Sequence, residues 1–163
     1  MTVRSDPIVP RPALGAHLLG RVSVTVTGPG ASRLCSGDVQ GQPLCLTNVH
    51  SSIAQSITSL LTASIDDSAL HSYRGLFELE RFPSAAIRAE KSALLLLWHF
   101  TLRDENGRPV MSVGEESVGK AETMSVQRPD MEIATRHLVE AITDRVRTDL
   151  ELTLREPWAA EYR

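Results

Sequence analysis

Two cysteines and five histidines are the residues of this 163-residue chain whose types could do chemistry. Cys35 and Cys45 stand ten positions apart in a stretch rich in Gly and Ser. That spacing favours a local disulfide, which would contribute about 2–3 kcal/mol by closing so short a loop. The alternatives are two unpaired cysteines, a reactive thiol or a metal pair, although a metal would need two further ligands and His50 alone is near. A disulfide would indicate the periplasm or the cell exterior.

The histidines and carboxylates show no spacing that is typical of a catalytic site. No two histidines stand four positions apart, and none belongs to a Cys/His pattern. A nucleophile-elbow, dinucleotide-binding or phosphate-loop motif is also missing. His99 is interpreted as a surface or packing histidine, and Asp66-Asp67 as a solvated exit from a helix. We therefore expect no catalytic residue, no metal and no cofactor, and a protein that is not an enzyme.

Composition excludes several classes of partner. A net charge of −3 gives no basic footprint for nucleic acid, and an aromatic fraction of 4% offers few stacking platforms. The longest apolar run, residues 93–98, is far shorter than the roughly 20 residues of a membrane-spanning helix. No secretory signal is apparent, so the chain is either cytosolic or the product of a signal already removed.

Hydrophobic periodicity predicts the elements that must position these side chains. Alternation predicts strands over residues 18–27, 70–81, 92–103 and 108–118, the last two joined by a hairpin turn at Asn106-Gly107. Apolar stripes predict a helix from Thr47 or Asn48 to residue 63 and another over residues 130–152. The predicted fold is a two-layer α+β sandwich of order β-α-β-β-β-α, in which two helices cover one face of an about four-stranded sheet. Residues 1–16 are predicted to be an extended arm with a mobile start, 17–153 the single domain, 154–163 a tail, and 28–46 a polar loop.

The faces of these elements give the candidate contact residues. Trp98 is predicted to be core, on the same side of its strand as Leu94, Leu96 and Phe100. Leu95 and Leu97 lie on the other side, where we expect them to be at least partly exposed, or covered by the arm or a second copy of the chain. The first helix has a serine-rich face without charge, and the tail carries a tryptophan. These supply the other candidate contacts with a partner or lipid: Ser52, Gln55, Ser59 and Trp158.

Two segments resemble a known family. YRGLFELERFPSA followed by ALLLLWHFTLRDENGRPV is similar to the middle of the ABC-type transport auxiliary lipoproteins, the PqiC-like group. The matching positions are Phe82, Trp98, Leu102, Asp104 and Gly107, and the likeness extends over residues 18–152. Related layouts occur in the LptE-like lipopolysaccharide-assembly lipoproteins and in activators of penicillin-binding proteins.

The resemblance implies a non-catalytic periplasmic lipoprotein, anchored in the outer membrane, that serves an envelope lipid-transport system. Its partners would be envelope transport or assembly proteins, with lipid as a further ligand. It would meet the membrane only through a lipid anchor that this sequence does not contain. The alternatives are a lipopolysaccharide-assembly plug, a cell-wall-synthase activator, and a cytosolic small-molecule-binding or enzymatic α+β domain.

Overall fold

The computed structural model describes residues 1–13, 18–29, 33–39, 42–63, 65–66, 71–80, 87–88, 93–120 and 128–155. These residues form ten strands and two helices. The strands are β1 Thr2–Arg4, β2 Leu18–Leu19, β3 Arg21–Thr27, β4 Arg33–Val39, β5 Gln42–Thr47, β6 Ile65–Asp66, β7 Ser72–Leu79, β8 Ile87–Arg88, β9 Ala93–Arg103 and β10 Pro109–Lys120, and the helices are α1 Val49–Ala63 and α2 Arg128–Arg155.

The central sheet has the strand order β10-β9-β7-β3, and the short β8 pairs with the start of β9. β3 and β7 run parallel, with α1 in the connection between them, whereas β7, β9 and β10 are antiparallel neighbours. α1 packs on β3, α2 packs on β10 and β9, and the two helices contact each other. The predicted α+β sandwich with two helices on its sheet is therefore confirmed.

The core lies between this sheet and the helices. Trp98 is only 2% exposed, and its ring stacks on Phe77 with 5.0 Å between the centroids. Leu94, Leu96 and Phe100 are buried in the same cluster, together with the apolar stripes of both helices. The prediction that these side chains of β9 point into the core is confirmed.

The stretch predicted to be a polar loop contains a hairpin instead. β4 and β5 pair antiparallel and place Cys35 directly opposite Cys45, with 4.1 Å between their Cα atoms. The two cysteines form the predicted disulfide. Gly- and Ser-rich sequence is depleted in strands, which is why composition alone predicts a loop here. The disulfide and the pairing of β5 with a third strand stabilise the hairpin despite the low strand propensity of its residues.

That third strand is the start of the chain. β1 runs parallel to β5, with Val3 opposite Leu46, and Val3 is 1% exposed. The Cys45 amide donates to the Met1 carbonyl oxygen, and the Ser5 amide donates to the Thr47 carbonyl oxygen. The prediction that the arm begins as a mobile segment is therefore wrong, because its first residues complete a three-stranded sheet.

The limits of α1 agree with the predicted ones, whereas α2 is longer by two residues at its start and three at its end. Asn48 immediately precedes α1 in the left-handed region, with φ at 62°, a conformation that Asn tolerates better than most residues. Its side-chain amide donates to the Ser5 carbonyl oxygen. α2 begins at Arg128, which leaves Pro129 in the first turn where the missing N–H is harmless. It ends at Arg155 rather than residue 152, because Leu154 is still buried.

The turn between β9 and β10 is organised by Asp104, which is buried. Its Oδ1 accepts hydrogen bonds from the amides of Asn106 and Arg108, both at 2.9 Å. Its Oδ2 accepts from Arg108 Nε at 3.1 Å. Gly107 supplies the positive φ of 80° that closes the turn.

Glu105, the next residue, ties this turn to β7. His71 Nδ1 lies 3.0 Å from its Oε1, and the Ser72 amide donates to its Oε2 at 3.2 Å. The hydrogen bond with His71 and then that from the Ser72 amide hold the pKa of Glu105 below its usual value. This link is consequently present at neutral pH and is lost as the pH falls through the lowered pKa.

We expect Asp104→Ala to lower the free energy of unfolding by about 1–3 kcal/mol, because it removes three hydrogen bonds from one buried carboxylate. Urea denaturation followed by tryptophan fluorescence measures the change. Asn106→Ala is the matched control, since it keeps the turn amide and removes an exposed side chain. Equal stability of the two variants would contradict this role for Asp104.

Candidate interaction site

Among the described residues, α1 and α2 pack on one face of the central sheet, and we call the opposite face the open face. The register of β3, β7, β9 and β10 aligns residues of this face in rows across the four strands. One row contains Thr25, Leu76, Thr101 and Ser112, and the next contains Thr27, Glu78, His99 and Gly114. The open face is defined by Arg74, Leu76, Glu78, Leu97, His99, Thr101, Ser112 and Gly114.

His99 is the centre of a polar network on this face. Its Nε2 lies 3.0 Å from Ser112 Oγ. Its Nδ1 lies 3.4 Å from Thr101 Oγ1 and 3.6 Å from Glu78 Oε2. Gly114 makes this position of the ring possible, because a Cβ there would lie 2.9 Å from His99 Cδ2. The sequence prediction of a surface histidine agrees with this half-exposed position, although it did not include the neighbours.

A serine, a histidine and a carboxylate in this order are the groups of a hydrolase triad. Acyl transfer also needs amide donors aimed at a developing oxyanion and a site that excludes water. The network instead lies on the flat surface of a sheet, with Glu78 and His99 side chains half exposed. In the part of the chain that the structure describes, no three His, Cys, Asp or Glu residues lie close enough to hold a metal. The arrangement can accept and donate hydrogen bonds to a partner, which is a binding chemistry.

Leu95 is not part of an exposed patch, which corrects the expectation from the sequence. Its side chain is 7% exposed, and it lies outside the main core cluster. At this end of the sheet β9 pairs with the short β8 and with β10, and Val118 is the register partner of Leu95. β4 of the disulfide-bonded hairpin also contacts β8. Leu97, two positions further along, is half-buried as expected.

Leu76 is an exposed apolar residue of the open face that the sequence analysis missed. It is 38% exposed and stands opposite Thr101. The alternation of side chains along β7 could have predicted this exposure, since it places Leu76 on the same outward side as the charged residues Arg74 and Glu78.

Part of the serine face of α1 contacts another segment of the chain, which corrects the prediction that Ser52 is a contact residue. Ser52 is fully buried, and its Oγ lies 2.7 Å from Ser5 Oγ. Ser56 Oγ accepts a hydrogen bond from the Ile8 amide at 2.9 Å. The arm thus covers this side of α1. Gln55 and Ser59 remain exposed, and Trp158 lies outside the described residues.

Neither helix in the described part of the chain is both long enough and apolar enough to cross a membrane. Of the candidate contact residues that the structure describes, Gln55 and Ser59 are exposed and Leu97 is half-buried on the open face.

Comparisons with known proteins show what this arrangement is similar to. No protein-family model matches the sequence, and no curated protein matches it. Protein XCC0632 from Xanthomonas campestris, of family DUF330, has a similar solved structure, with a TM-score of 0.67, 11% identity, and coverage of 94% of this chain and 96% of that one.

A second solved structure, of a protein without a known function, has a TM-score of 0.53 and 10% identity over 91% of this chain and 97% of that one. A candidate lipoprotein from Caulobacter crescentus overlaps less, with a TM-score of 0.41 and 15% identity over 52% of this chain and 68% of that one. Because the sequence identities are so low, the first two similarities show the fold alone. The chain shares the α+β fold of XCC0632 over almost its whole length.

Proposed function

We propose that this chain is a non-catalytic, extracytoplasmic accessory protein of an envelope lipid-transport system, and that it acts by binding a partner protein of that system. The observation that carries the proposal is the open face, a sheet surface on which, in the described part of the chain, Leu76 is exposed among polar side chains. Non-obligate protein interfaces are about as apolar as the rest of a protein surface, so this mixed composition is compatible with a protein partner. An acyl chain would favour a continuous apolar groove instead.

The disulfide supports the extracytoplasmic location. Cys35 and Cys45 stand directly opposite each other in β4 and β5, so the bridge crosslinks the two strands of the hairpin. Such bridges persist in oxidising compartments and are rare in the cytosol. The disulfide therefore disfavours the cytosolic alternatives.

The resemblance of the β7 and β9–β10 segments to the ABC-type transport auxiliary lipoproteins supports the transport role, and anchorage in the outer membrane belongs to the same proposal. The shared fold with XCC0632 is compatible with it. Asp104 and Gly107, two of the matching positions, organise the β9–β10 turn, so the resemblance falls on residues with a structural role.

A photo-crosslinking side chain at position 76 tests the partner directly. We expect light-dependent adducts between this position and a component of an ABC-type lipid-transport system in the organism of origin, identified by mass spectrometry. Position 152 is the matched control, because Leu152 is 55% exposed on α2, away from the open face. Adducts from position 152 alone, or adducts without any envelope transport component, would contradict the proposal.

A further inference from the structure

A cavity of about 510 Å³ lies between the arm, the end of β5 and the first turns of α2. It is lined by five residues of the arm, by one of β5 and by four of α2: Thr2, Arg4, Asp6, Pro7, Ile8, Thr47, Arg128, Glu132, Thr135 and Arg136. This volume is within the range of small-molecule sites, about 300–1,000 Å³. The cavity exists because the arm pairs with β5 rather than extending into solvent. We call it the arm cavity.

The charged lining of the arm cavity is three arginines and two carboxylates, in a chain whose net charge is −3. Arg4 is already paired, because its Nε lies 3.1 Å from Asp6 Oδ1. Arg128 and Arg136 remain, with Glu132 between them at four-residue spacing on the same side of α2. In the residues that the structure describes, neither arginine forms an ion pair with Glu132 within 4 Å. The surplus charge of the α2 wall is therefore positive.

Arg128 is held in place at the cavity wall. Its Nη1 donates to the Thr2 carbonyl oxygen at 2.7 Å, which uses one of its five N–H groups. The contact fixes the guanidinium without neutralising it, since the acceptor is an uncharged carbonyl. A guanidinium fixed in this way retains donors for an oxyanion, and planar N–H pairs suit phosphate oxygens particularly well.

The uncharged residues of the lining indicate which kind of organic group could accompany a bound anion. Thr2, Thr47 and Thr135 contribute small polar side chains, whereas Pro7 and Ile8 contribute an apolar edge. The cavity is too large for a bare phosphate and has polar and apolar walls. We propose that the arm cavity binds a phosphate monoester of a small organic group, held by Arg128 and Arg136. This site is separate from the open face and does not rest on the proposed function.

Isothermal titration of the full chain with three probes tests the site: inorganic phosphate, glycerol 3-phosphate and the short-chain lipid dihexanoyl phosphatidic acid. We expect saturable binding of the two esters, stronger than that of inorganic phosphate. Equal affinity for both esters identifies a soluble phosphate ester as the ligand class, and preference for the lipid identifies a lipid headgroup; each result supports the site. Absence of saturable ester binding would overturn it.

Three variants decide whether binding occurs in the arm cavity. Arg136→Gln should weaken ester binding by about tenfold or more, since it removes charge-assisted hydrogen bonds from a residue that does not hold the arm. Glu132→Gln should strengthen binding by about threefold, because it removes the opposing carboxylate. Arg74→Gln, the same charge change on the open face, should leave the affinity unchanged. Equal weakening by Arg74→Gln and Arg136→Gln, or no gain from Glu132→Gln, would refute the assignment.

Discussion

Replacing Trp98 by Ala is expected to lower the free energy of unfolding by about 3–5 kcal/mol, the largest change of any substitution considered. Trp98 is almost completely buried, and its stacking on Phe77 adds an aromatic contact that no smaller side chain restores. The indole lies where β9, β7 and the helices meet, so the cavity left behind cannot collapse without moving several elements.

Guanidinium denaturation monitored by far-UV circular dichroism measures this loss, since the substitution removes the main fluorophore of the core. Leu76→Ala on the open face is the control, because it removes a partly exposed side chain from the neighbouring strand. It should cost less than about 1 kcal/mol. A midpoint for Trp98→Ala close to that of Leu76→Ala would show that the two faces of the sheet are reversed.

Removing the disulfide with the pair Cys35→Ala and Cys45→Ala is expected to cost about 2–3 kcal/mol, from the chain entropy of closing a short loop. The loss should be concentrated in the three-stranded sheet, because β5 carries both Cys45 and the pairing with β1. The Ser5 amide, which donates to the Thr47 carbonyl oxygen, should therefore exchange its hydrogen faster, while amides of β9 are unaffected.

Reduction of the unmodified protein should reproduce both effects, and reductant should leave the double variant unchanged. Alkylation of exported protein without prior reduction provides the complementary measurement. Two freely alkylated thiols would refute the bond in the native protein and remove the main support for an extracytoplasmic location.

The sequence was sufficient to predict the larger elements. The period-2 pattern of β9 placed Trp98 and Phe100 on the core side, and the apolar stripes located both helices. The Asp104–Gly107 turn was equally predictable, because few residues suit its geometry. These features depend on local spacing, which a sequence displays directly.

The features that the sequence did not predict depend on partners distant in the chain. β1 has three residues and pairs with β5 more than 40 positions away, so it leaves no periodic pattern. Ser52 looks like a surface residue until Ser5 is brought to it. Leu95 looks exposed by alternation but is 7% exposed, at an end of β9 that pairs with the short β8, which the sequence did not predict. The arm cavity could not be predicted for the same reason, because the residues that line it are far apart in the sequence.

The pairing of β1 has a consequence for the order of folding. β9 and β10 are joined by a tight turn and can meet early, because the entropy of closing a short loop is small. β1 cannot pair until the hairpin exists, and the bond between Arg128 and Thr2 joins residues 126 positions apart. The pairing of β1 therefore follows the formation of the β4–β5 hairpin. The arm cavity is complete only when α2, its other wall, has also packed.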